Sequence, residues 1–108
     1  SYHDLKDENS YHMMMLGMCA FLRRDYAVKS NRESGTGRSD ICLYSKNARY
    51  PNLVLEFKYT KDEMEDLVEL AEKALDQIKE KQYDAEMEGE VVYLGLAHCG
   101  KSACVRWE

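Results

Sequence analysis

Residues 53 to 59 read Leu-Val-Leu-Glu-Phe-Lys-Tyr, with Leu53, Leu55, Phe57 and Tyr59 alternating against Val54, Glu56 and Lys58. That period of two marks a strand. Glu56 and Lys58 therefore project from one face of an otherwise apolar strand, which is uncommon unless that face meets solvent or a site. Sixteen residues before Glu56 stands Asp40, directly after the glycine-rich segment Ser34-Gly35-Thr36-Gly37-Arg38-Ser39. If the two strands pair as a hairpin, Asp40 and Glu56 meet at one end of a sheet. Two converging carboxylates suit a hard divalent cation, since magnesium prefers oxygen ligands and takes only one or two carboxylates from the protein. A lysine beside them can hold or help deprotonate a water and offset charge on a phosphate. These are the parts needed for metal-assisted phosphodiester hydrolysis.

Each part has an ordinary explanation too. Glu-x-Lys is common on exposed strand faces, and Asp after a glycine-rich segment serves well as a turn residue. The joint pattern is more specific: an acid at a strand start, a glycine-rich approach, the fixed gap, then an apolar strand and a long helix.

The surrounding elements must place these residues. Residues 7 to 23 are expected to form a helix, with Tyr11, Met15, Met18, Cys19 and Leu22 on one face. Strands are expected over 26–30, 39–44, 53–59, 91–97 and 103–107. Thr60 and Glu63 form a capping box for a helix whose apolar stripe is Met64, Leu67, Val68, Ala71, Ala74, Leu75 and Ile78. The run 91–97 is apolar enough for a strand buried on both sides. The first three strands can form an antiparallel meander through short loops, and the strand after the long helix can return parallel to its neighbour by a crossover. The fold class is thus mixed α/β, in the order α-β-β-β-α-β-β, with a helix on each face of the sheet.

The 108 residues make one domain, 1–108. The chain starts at Ser1 rather than Met, which points to a piece of a longer protein. No apolar run reaches the roughly 18 residues of a membrane span, and Ser1-Tyr2-His3-Asp4 resembles no signal peptide. The four cysteines form no C-x-x-C pair, so reduced, buried, cytoplasmic thiols are expected. His98, Cys99 and Cys104 fit no standard zinc spacing. A net charge of −5 argues against a strong nonspecific grip on nucleic acid. The acids cluster in 62–90, however, while 23–49 carries seven arginines and lysines. The methionines are expected as core filler, and His12 as a packed residue.

The chain resembles the PD-(D/E)XK nuclease superfamily, and within it the nuclease-like domain found C-terminal to AAA-type ATPase modules in bacterial proteins. The segments that carry this likeness are Glu8-Asn9-Ser10-Tyr11-His12, residues 30–40, Leu55-Glu56-Phe57-Lys58 and Gln77-Ile78-Lys79-Glu80-Lys81-Gln82-Tyr83. The resemblance implies a restriction-endonuclease-like core and a magnesium-dependent deoxyribonuclease, with manganese as a substitute ion. It implies Asp40 and Glu56 as metal ligands with the Phe57 carbonyl, Lys58 as the catalytic lysine, and Glu8 as a supporting acid. Gln77, and more loosely Tyr83, correspond to a Gln…Tyr motif that orients the substrate end. Ser39 stands where the family motif has proline. Arg32 and Arg38 are candidates for phosphate contacts, against the alternative of a solvated loop. The competing expectation is a catalytically inactive module of the same fold that binds nucleic acid or a partner protein. A third is a toxin-like or regulatory domain assembled through its exposed edge strand, a homodimer being one such assembly.

Overall fold

The computed structural model describes residues 8–33 and 38–108, the side chains of 8–11, 32, 33 and 38 excepted. Its elements are α1 (Glu8–Cys19), β1 (Tyr26–Glu33), β2 (Arg38–Ser45), β3 (Asn52–Tyr59), α2 (Leu67–Glu80), β4 (Val91–Cys99) and β5 (Ser102–Trp107). Short 3-10 turns follow each helix, at Ala20–Leu22 and Tyr83–Glu86. The five strands form one sheet in the order β1-β2-β3-β4-β5. All neighbours are antiparallel except β3 and β4, which run parallel across the α2 crossover. The expected order and the meander both stand.

The alternation of β2 and β3 divides the core between the two faces. Ile41, Leu43, Leu55 and Phe57 point toward α1 and pack with Cys19 and Tyr26. Cys42 and Val54 point toward α2 and pack with Ile78, Leu75 and Tyr83. Helix α2 is held close to the sheet at Gly95 of β4, where an added Cβ would lie 2.2 Å from the Ala71 carbonyl oxygen and 2.4 Å from Leu75 N. Only glycine permits that approach.

Two helical expectations need correction. The face that α1 buries is His12, Met15, Leu16 and Cys19, about one residue out of phase with the expected stripe, whose Tyr11 lies outside the described side chains. Met18 is 56% exposed and Leu22 39%. The phase differs because His12, packed as expected, takes an inner position that the apolar stripe leaves out. Its Nδ1 meets the Ser39 hydroxyl and its Nε2 lies 2.7 Å from that of Ser30, so its ring polarity is satisfied inside. Met13, like Met18, is exposed rather than core filler.

Helix α2 begins at Leu67 and not after Thr60. Asp66 is its N-cap, its carboxylate accepting from Val68 N at 3.0 Å and Glu69 N at 3.3 Å. Thr60 instead accepts from Asp62 N, and Asp62 from Met64 N, so residues 60–65 are turns. A charged acceptor on two end N–H groups outcompetes the Thr60 hydroxyl. Met64, left outside the helix, is 90% exposed.

Candidate active site

Asp40 and Glu56 are directly opposite each other across β2 and β3, so their side chains project together onto the α2 face. The β2–β3 ladder runs from Leu43 opposite Leu53 to this pair and ends there. Beyond it, β2 stays paired with β1 as far as Arg38, and β3 with β4 as far as Tyr59. The two acids therefore sit where the central strands part. Both are buried, at 2% and 3% exposure.

Buried carboxylates require compensation, and it comes from the far end of α2. Lys81 Nζ lies 2.7 Å from Asp40 Oδ2 and 2.6 Å from Glu56 Oε1. The first contact is a hydrogen bond, whereas the second is a close ion pair with poor hydrogen-bond direction, leaving Glu56 Oε1 without a hydrogen-bond partner among the described residues. Burial works against the Lys81 charge, but the hydrogen bond to Asp40 and the charges of Asp40 and Glu56 outweigh it and raise its pKa. Tyr83 Oη lies 3.3 Å from Asp40 Oδ2 and accepts from Asn31 Nδ2 at 3.4 Å. Burial, then the Asp40 charge, raises the Tyr83 pKa. On the same face, burial and the Asp40 charge push the Cys42 thiol up to about 11.

Of the residues expected at the site, Asp40, Glu56 and Tyr83 are brought into one cluster. Lys58 is half-buried on the same strand face, two residues beyond Glu56. Phe57 turns its ring into the α1-side core, 5.7 Å from that of His12 and at 80° to it. Gln77 is exposed on α2, and among the described residues it makes no hydrogen bond to the acids, because Ile78 next to it takes the inward position. The side chains of Glu8, Arg32 and Arg38 lie outside the described residues.

Sequence reasoning missed Lys81. Its signal was present: the buried stripe Ala71, Ala74 and Ile78 continues at three-residue spacing onto position 81, so this lysine had to face the sheet.

Among the described residues, no group of three or more His, Cys, Asp or Glu side chains gathers in one place. Two buried carboxylates that already converge on a cation nevertheless fit a hard divalent ion, which typically takes that number from the protein and fills its remaining positions with water. No helix is long and apolar enough to cross a membrane.

No curated protein and no solved structure matches the chain significantly. The family model described as the PD-(D/E)XK nuclease superfamily, whose nucleases typically use divalent metals, matches residues 6–108. With that match across nearly its whole length, on a mixed sheet that pairs Asp40 with Glu56, the chain belongs to the PD-(D/E)XK nuclease superfamily.

Proposed function

We propose that the chain is a magnesium-dependent nuclease domain that hydrolyses phosphodiester bonds of DNA. The observation that carries this reading is the Asp40–Glu56 pair, buried and opposite one another where β2 and β3 part. These two carboxylates would hold the ion, with the Phe57 carbonyl as a further ligand and Glu8 in support. The ion would supply Lewis acidity toward the phosphoryl group and a lowered pKa for water. Lys58 positions the attacking water and offsets charge growing on the phosphate. Tyr83 keeps the Asp40 carboxylate oriented through its hydroxyl. Gln77, Arg32 and Arg38 engage the substrate strand. By its resemblance, the domain is part of a longer bacterial protein with an AAA-type ATPase module, and its unpaired cysteines suit the cytoplasm.

The test is cleavage of single- and double-stranded DNA by the purified chain with Mg²⁺ or Mn²⁺. Asp40→Asn should abolish cleavage, and Lys58→Ala should lower it by roughly 10²- to 10⁴-fold, the usual span for one proton-handling group. Cleavage unaffected by both substitutions would exclude the assignment. A second reading, an inactive module of this fold that binds nucleic acid or a partner protein, draws support from Lys81, which already pairs with both acids. It expects DNA or partner binding that needs neither metal nor Asp40, with no cleavage.

A further inference from the structure

Two lysines stand near the acid pair, and the one in contact with it is not the one on the acids' own sheet face. Lys81 reaches one oxygen of each carboxylate, Asp40 Oδ2 and Glu56 Oε1, while among the described residues Lys58 makes no ion pair with either. A single ion bridging both acids through those oxygens would need the space that the ammonium fills. The two contacts are mutually exclusive on those atoms.

The partners differ in their freedom to move. The carboxylates stand on central strands and are almost fully buried, with side chains 3% exposed. Lys81 is the C-cap residue of α2, its side chain is 18% exposed, and its stem has four rotatable bonds. When a competing cation arrives, the lysine is the member that can leave. Its departure takes the charge of the two-acid cluster from −1 to −2 as the +2 ion enters.

We propose that Lys81 is a displaceable internal counter-ion, which competes with a divalent ion for Asp40 Oδ2 and Glu56 Oε1 and is released toward the mouth of the site when the ion binds. There its ammonium can meet a phosphate oxygen of the substrate. It sets a threshold ion concentration for the site and couples metal entry to a new positive charge at the mouth. This inference rests on the metal-dependent reading above.

The experiment is Mn²⁺ binding by calorimetry to the whole chain as wild type, Lys81→Met, Lys81→Gln and Asp40→Asn. Both Lys81 variants should bind Mn²⁺ at least tenfold more tightly than wild type, and Asp40→Asn should not bind. A second readout needs no variant: acetylation of Lys81 by an N-hydroxysuccinimide ester, read by mass spectrometry, should rise several-fold when Mn²⁺ is added to wild type. Exposed Lys73 should not change. Equal or weaker Mn²⁺ binding without Lys81, or Lys81 labelling indifferent to Mn²⁺, overturns the counter-ion role. If Asp40→Asn still abolishes binding in that case, the metal-dependent reading survives alone. Mn²⁺ binding by none of the proteins overturns both.

Discussion

A left-handed residue separates the two side chains that reach Asp40 from beyond α2. Gln82 has φ 55°, the sole positive value among the described non-glycine residues. It stands between Lys81 and Tyr83, one position past the helix cap. Many helices end on a left-handed residue there, and glycine usually takes that place because a Cβ costs about 1–2 kcal/mol in this conformation. The turn bends the chain sharply enough for consecutive odd-numbered residues to approach one carboxylate from two sides. Gln82 itself is exposed. Gln82→Gly is therefore expected to raise stability by about 0.5–1 kcal/mol, after the added unfolded-state freedom of glycine is deducted. Urea unfolding measures it, and a loss of stability would mean that the glutamine side chain holds something the backbone does not. Asp40 and Glu56 were legible because period-two alternation and a short hairpin leave little choice of partner. Lys81 was not, because a lysine at the end of a helix is ordinarily solvated and favoured there by the dipole. Its inward direction follows only from the phase of the stripe before it.

At the level of elements, the strands were foreseen in number and order, although β1 runs on to Glu33 past its expected end at residue 30, and the helices in kind but not in detail. Runs such as 91–97 are apolar over almost their whole length and open on the β-branched pair Val91-Val92, which favours a strand. A helix start is decided among competing acceptors over a few residues, and there Thr60 and Asp66 both qualify by type. Asp66 satisfies two N–H groups of α2 with a charge at the positive end of the helix; Thr60 holds only a local turn. Asp66→Ala should cost about 1 kcal/mol, lowering Tm by roughly 4 °C or more for a domain of this size. Thr60→Ala should stay within about 0.5 kcal/mol. Equal losses in a thermal melt would return the helix start to Thr60. The phase of α1 differs for a related reason: the apolar stripe leaves out His12, which packs as expected, and the serines that satisfy it come from strands 18 and 27 residues later.

Over the whole molecule, the members of the site differ in how far the chain must travel to deliver them. Asp40 and Glu56 are joined by a hairpin, whereas Lys81 is 41 residues from Asp40 and arrives only once α2 has crossed the sheet. Short loops close sooner and at lower entropic cost than long ones. During refolding, then, two carboxylates are expected to be drawn together ahead of the charge that quiets them, so that the sheet's centre assembles against its own repulsion. Asp40→Asn is accordingly expected to refold several-fold faster in stopped-flow measurements, even though it loses an ion pair and unfolds faster as well. A refolding rate unchanged or slowed would put the docking of α2 ahead of the hairpin. The arrangement that gathers a cation in the finished domain is thus also the step that the folding chain has to climb.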